Sequence, residues 1–302
     1  MQRRLPRLVT CFLAACAPAL GLVIAVSPGA GAAAHASPYA RALATARATL
    51  RHLHVGEHAT NHGIFSHMTR VKALTQVQST NWSGYADTSA TFSTVTGNWT
   101  EPSVTCTSRT TYAAFWVGID GFTSGSVEQD GTLAECSSGR AFYFTWWEMY
   151  PSNAIQVVGS SVQPGDSISA SVVRSGGSYT LKVTDSSHSA NSFTTTQSCS
   201  SCANSSAEWI AEAPSGSGGV LPLANFHSWA LSGATVNSKV ISSFSDDEIT
   251  MIDNAGRVKA RPGALNGGGN GFGVTFVRST YPVPQRSPPA PAARASRQRD
   301  VR

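Results

Sequence analysis

Between Asn81 and Val283 the chain carries almost no helical periodicity, and this constrains its fold more than any other feature. Twelve short alternating or aromatic runs recur there instead: 82–86, 92–99, 112–119, 142–150, 154–158, 167–173, 178–184, 192–197, 207–213, 226–231, 249–252 and 272–277. Gly, Ser, Asn and Pro separate them, which is the pattern of short strands joined by turns. Charged residues make up only 13% of the 302-residue chain, against a typical ~25%, which disfavours helix-rich and coiled-coil architectures. The expected fold class is all-β, an antiparallel sandwich or barrel. No GxGxxG follows a strand, and there is neither a phosphate loop nor a βαβ rhythm, so a nucleotide enzyme is not expected.

The formal charge of +5 is unevenly distributed. Residues 1–78 are net +7 and residues 286–302 net +4, whereas the core, 79–285, is net −6. An acidic core repels phosphates, so no nucleic-acid partner is expected.

Residues 1–36 read as an export signal: Arg3, Arg4 and Arg7 precede an apolar run from Leu8 to Val26, and Ala34-His35-Ala36 offers a cleavage site. Pro18, Gly21 and several Ala interrupt the run, which argues against a stable membrane span. Leu13-Ala14-Ala15-Cys16 resembles a lipoprotein site, but the residues after Cys16 stay hydrophobic, so secretion to the extracellular space is expected. Residues 37–78 form a basic, His-rich zone, with helical spacing over Ala40–His54 and His at 52, 54, 58, 62 and 67. We read it as a cleavable prosegment resting on the acidic core, an intramolecular inhibitor that acidification releases by charging its His and neutralising its carboxylate partners. Residues 79–283 then form the β-domain. Residues 284–302, rich in Pro, Ala and Arg, form a tail too poor in apolar residues to order itself.

Past the signal the Cys are 106, 136, 199 and 202, and an even count in an exported chain favours disulfides. A tight Cys199–Cys202 bridge would leave Cys106 to pair with Cys136, although four Cys allow three connectivities. Nucleophilic and metal hydrolases lose support by subtraction: the core has two His, at 188 and 227, no GxSxG elbow, no free Cys and no HExxH. No cofactor or metal is expected.

What remains is a few carboxylates set among aromatics. They lie in Trp116-Val117-Gly118-Ile119-Asp120-Gly121, Val127-Glu128-Gln129-Asp130-Gly131-Thr132, Thr145-Trp146-Trp147-Glu148-Met149-Tyr150-Pro151 and Ser206-Ala207-Glu208-Trp209-Ile210-Ala211-Glu212. In strand geometry Trp146, Glu148 and Tyr150 share one face, and Glu208, Ile210 and Glu212 share another. With Asn81-Trp82-Ser83-Gly84-Tyr85 ahead of them, these segments in this order resemble the glutamic peptidase (eqolisin) family over about two-thirds of the chain.

The resemblance implies a lectin-like jelly roll, a β-sandwich of two curved antiparallel sheets. It also implies a secreted, acid-acting, pepstatin-insensitive endopeptidase made as a zymogen, with protein or peptide substrates; we expect a monomer. Carried over by motif, Gln129 and Glu208 would be the catalytic pair: Glu208 takes a proton from water and Gln129 steadies the oxyanion. Trp116, Asp120, Glu148 and Tyr150 would line or support the cleft. Asp130, directly after Gln129, departs from the family pattern, and its charge would disfavour ionisation of a neighbouring Glu. Two other readings fit the same residues. One is a jelly-roll glycoside hydrolase using Glu148 and Glu208; the other is a carbohydrate-binding module stacking sugars on Trp146, Trp147 and Trp209.

Overall fold

The computed structural model describes residues 36–56, 69–71 and 74–281. The expected signal, apart from Ala36, and the tail lie outside these residues, as do His58, His62 and His67. The chain divides into two compact units, Met1–Arg41 and Ala42–Arg302. In the first, Ser37 caps the opening turn of a helix, its Oγ accepting the Ala40 N–H at 3.1 Å, and Pro38 takes the first helical position. This helix, α1, runs over Pro38–Leu50.

The strands follow in chain order: β1 Thr69–Val71, β2 Leu74–Ser79, β3 Trp82–Asp87, β4 Thr94–Thr100, β5 Thr111–Ile119, β6 Val127–Ser137, β7 Arg140–Tyr150, β8 Asn153–Val157, β9 Ser167–Ser175 and β10 Ser178–Asp185. Then come β11 Phe193–Ser198, β12 Ala207–Glu212, β13 Ser215–Gly216, β14 Gly219–Val220, β15 Ser228–Val236, β16 Lys239–Val240, β17 Asp246–Ile252, β18 Val258–Pro262 and β19 Phe272–Phe276. The all-β class holds, and every run read from the sequence contains a strand. The 226–231 run starts late: His227 sits at φ 58° just before β15, where its Nε2 meets Thr105 Oγ1 at 2.8 Å.

Hydrogen bonds join the strands into a ribbon that folds over on itself. One layer is ordered β8-β7-β6-β5-β12-β3-β17, the other β18-β19-β15-β4-β9-β10-β11. Strand β17 belongs to both: Asp246–Ile249 pairs with β3, and Met251 and Ile252, across a register shift, pair with β18. A bulged strand that changes sheet is a usual corner of a β-sandwich. Strand β2 joins β17 in parallel, so pairing in this layer begins before residue 79.

The alternation of each strand sorts its side chains into two apolar clusters. Between the layers lie Phe115 and Val117 of β5, Trp209 and Ala211 of β12, Val95 and Trp99 of β4, and Trp229 and Leu231 of β15. The outer face of the first layer carries Trp82, Trp116, Leu133, Phe144, Trp146 and Ile210, and it is covered by Ala46 and Leu50 of α1 with Leu53 and Val55 just beyond it. Arg47 extends from the helix to the Val157 carbonyl at 3.1 Å. Both expected disulfides are present, Cys106–Cys136 and Cys199–Cys202. The first ties β6 to the segment before β5, and the second closes a short loop ahead of β12.

Candidate active site

Four neighbouring strands place the candidate residues in one cross-strand row. Glu148 of β7 lies opposite Gln129 of β6, Gln129 opposite Gly118 of β5, and Gly118 opposite Glu208 of β12. Glu212, four residues further along β12, lies opposite Ala114 and Trp82. All these side chains leave the sheet on its outer face, beneath the segment that follows α1.

That segment is held through its backbone, with an isolated bridge at His54 and a bend at Val55 and Gly56. His54 exchanges two backbone hydrogen bonds with Ser215, at 2.8 and 2.9 Å. The Val55 N–H donates to Glu148 Oε2 at 3.2 Å. The Val55 carbonyl accepts from Gln129 Nε2 at 2.6 Å, and the Gly56 N–H donates to Glu212 Oε2 at 2.9 Å. The last two contacts fall on the two ends of a single peptide group, the one joining Val55 to Gly56. Gly56 has φ +76°, and a Cβ there would lie 2.2 Å from Gln129 Nε2, so glycine is what permits this approach.

Each gripping side chain is itself oriented. Gln129 Nε2 lies 3.3 Å from Glu148 Oε2, which fixes the amide with its N–H₂ toward the peptide. Glu212 accepts from Trp116 Nε1 at 2.9 Å and Asn81 Nδ2 at 3.2 Å. Burial raises the Glu212 carboxyl to about 8, opposed by hydrogen bonds from Gly56, Trp116, Asn81 and Trp82 that favour the anion. Two glycines make room for Trp116: Cβ atoms at Gly118 and Gly131 would each come within 2.9 Å of its side chain. The indole packs edge-on against Trp82 with centroids 5.1 Å apart.

Glu208, the expected partner of Gln129, is placed differently. The Trp116 ring lies over Gly118, in the space between Gln129 and Glu208. Glu208 faces Ser206, Phe122, Asp120 and Glu128, and burial, followed by the acidic neighbours Asp120 and Glu128, pushes its carboxyl well above the usual range. The Glu148–Glu208 pair of the glycosidase reading is parted by the same ring and by the two strands between them. Asp120, at φ 70°, accepts from the N–H groups of Asn204 and Ser205 at 2.7 and 2.8 Å and so anchors the loop before β12.

Asp130 does not approach the groove. Alternation turns it to the opposite face of β6, where it is buried and meets backbone groups of Lys182 and Ser171. The whole sheet separates its charge from the groove, so the expected influence on a neighbouring glutamate is absent. Tyr150 stands at the groove edge, its ring edge-on to His54 at 6.2 Å. The sequence reading does not single out Asn81, Trp82 or Glu212, which the structure brings to this site. Asn81 and Trp82 lie within the matched motifs, and Glu212 shares a face with Glu208, but nothing local ranks one acid above the other.

Among the described residues two clusters have donor sets suited to a metal: Glu128 with Cys199 and Cys202, and Asp166 with Asp185 and His188. The first has both sulfurs committed to the disulfide. The second is engaged in its own turn, His188 Nδ1 lying 2.9 Å from Asp166 and Asp185 accepting the backbone N–H groups of Ser187 and His188.

A family model described as the Peptidase A4 family matches residues 80–261. Aspergillopepsin-2 of Aspergillus niger is 27% identical over 199 residues, covering 58% of this chain and 70% of its own. Scytalido-glutamic peptidase, solved with a transition-state analogue inhibitor, superposes with a TM-score of 0.56 at 24% identity, over 66% of this chain and 98% of the other. The eqolisin SCP-B, solved with the tripeptide Ala-Ile-His, gives 0.54 at 23% identity with the same coverage. These two structures share the fold.

Proposed function

Because the chain belongs to the Peptidase A4 family and is a glutamic-type endopeptidase acting on protein substrates, we propose that Gln129 and Glu212 are its catalytic pair. The supporting observation is the single peptide group between them, its carbonyl on the Gln129 amide and its N–H on the Glu212 carboxylate. Ionised Glu212 takes a proton from water, which attacks the carbonyl carbon. The Gln129 amide donates to the oxygen as negative charge builds on it. Protonated Glu212 then passes its proton to the leaving nitrogen, the atom its oxygen already faces. An amide does not titrate, so the oxyanion donor persists into acid.

Glu148 positions Gln129, while Trp116 and Asn81 hold Glu212 and favour its anion. Burial beneath residues 53–56 raises the Glu212 carboxyl; the water that must enter for hydrolysis also solvates its anion, and with the donors already in place this brings its ionisation down toward acid pH. We further propose that the chain is exported by its N-terminal signal and that the following segment is an inhibitory prosegment. Its residues 46–55 are held by apolar packing and backbone hydrogen bonds.

The test is hydrolysis of denatured casein across pH 2–7 with pepstatin present, comparing wild type with Glu212→Gln and Glu208→Gln. Pepstatin-resistant activity lost in the first variant and kept in the second is the expected result. The reverse outcome would return the base to Glu208.

A further inference from the structure

We infer that Val55–Gly56 is a bond this enzyme cuts in its own chain, and that it displays the substrate preferred on either side of the cut: an apolar residue on the carbonyl side and glycine on the amine side. The inference rests on Gln129 and Glu212 being the catalytic pair, and it adds the bond and the side chains the groove accepts.

The contacts are those of a substrate. Three consecutive residues are bound through their backbone: His54 on Ser215, Val55 on Glu148 and Gln129, and Gly56 on Glu212. Backbone contacts of this kind hold a peptide whatever its sequence, and buried side chains then select among peptides. Leu53 and Val55 are almost wholly buried in the apolar cluster of the outer face, whereas His54 between them rests on Tyr150. The Val55 carbonyl oxygen already receives the amide donor that would stabilise the oxyanion. The Gly56 nitrogen already meets the carboxyl that would protonate it. Hydrolysis adds the water oxygen to the Val55 carbonyl carbon, breaks the bond to the Gly56 nitrogen, and leaves a new C-terminal carboxyl and a new N-terminal amine.

The requirement for glycine is steric. A side chain at residue 56 would place its Cβ 2.2 Å from Gln129 Nε2 and 2.6 Å from Gln129 Cδ, with φ in the left-handed region. Such a residue either displaces the amide that polarises the carbonyl or lifts the peptide from the groove.

The full-length precursor, moved from pH 7 to pH 3.5 and followed by intact mass and N-terminal sequencing, tests this directly. The expected result is an early fragment ending at Val55 and a chain beginning at Gly56, at a rate unchanged over tenfold dilution because the cut is intramolecular. Gly56→Ala should slow that cut at least tenfold. A synthetic peptide spanning 51–61, offered to mature wild-type enzyme, should be cut at the same bond, and the same peptide carrying Gly56→Ala at least tenfold more slowly; this arm requires no variant protein to fold.

Maturation with Val55–Gly56 still intact in the released leader, together with an uncut peptide, would overturn the inference. So would equal cleavage of the native peptide and its Gly56→Ala counterpart. Failure of the underlying reading looks different. Glu212→Gln precursor, processed by immobilised wild-type enzyme that is then removed, would in that case still digest casein.

Discussion

The two ends of strand β12 carry the same residue on the same face, both wholly buried, yet their surroundings oppose each other. Glu212 is met by N–H donors from Gly56, Trp116 and Asn81. Glu208 has the Asp120 and Glu128 carboxyls as neighbours, with the Ser206 hydroxyl and a Phe122 backbone group as partial compensation. Donors stabilise an anion and like charges oppose it. One end of the strand is therefore built to bring a carboxylate back into its ionised form once water returns, and the other to keep a carboxylic acid neutral. Proximity to Trp209 along the chain does not tell them apart.

The most direct way to break this contrast is to exchange the acids for amides one at a time. Glu212→Gln should lower kcat by roughly 10³-fold or more, since both proton transfers are lost, while Glu208→Gln should stay within about threefold of wild type. Steady-state kinetics on a quenched peptide reads both. Gln129→Ala comes next, with an expected loss of about 10²–10³ in kcat for one oxyanion donor. A KM effect alone would mean that Gln129 only binds substrate.

The neutral end of the contrast is tested by stability. Burial raises Glu135 to about 7, Glu101 to about 8 and Glu128 to about 9, and burial with the adjoining Asp246 raises Asp87. A carboxyl group raised in the folded state stabilises the fold fully below its unfolded pKa, near ~4.3, and that contribution is lost as pH climbs through the folded value. Melting temperature should therefore be highest below about pH 4.5 and fall by roughly 5–10 °C or more between pH 5 and 8. Glu208→Gln removes one ionisable group from this set, so calorimetry should show a shallower decline in that variant.

Trp116→Phe sharpens the other end. Removing one donor from Glu212 disfavours its anion, so the rising acid limb of kcat/KM should move to higher pH by about half a unit to one unit. The smallest expected change is that of Asp130→Asn, whose pH–rate profile should overlay wild type because the residue lies on the far face of β6.

Much of this was legible beforehand, for reasons visible in particular residues. The 167–173 and 178–184 runs alternate cleanly because each buries one face more deeply than the other, and they form β9 and β10. Strand β6 was not read as a strand although it carries Gln129. Its Val127-Glu128-Gln129-Asp130-Gly131 opening has three polar residues and a glycine in a row, and its burial on both faces depends on β5 and β7. Gly131 is there because Phe115 and Trp116 of β5 come too close for any Cβ, a constraint absent from the local sequence.

The sequence by itself determined the period-two alternation, the even set of cysteines and the face shared by Glu208 and Glu212. These are local properties of a short strand or of the residue inventory. The contrast between the two acids was decided by tertiary structure alone. The donors to Glu212 come from residues 156, 131 and 96 positions away, and only the folded sheet brings them together. The ring of Trp116, swung over Gly118, closes Glu208 off from Gln129 in the same way: the space that ring fills exists only when β5, β6 and β12 lie side by side.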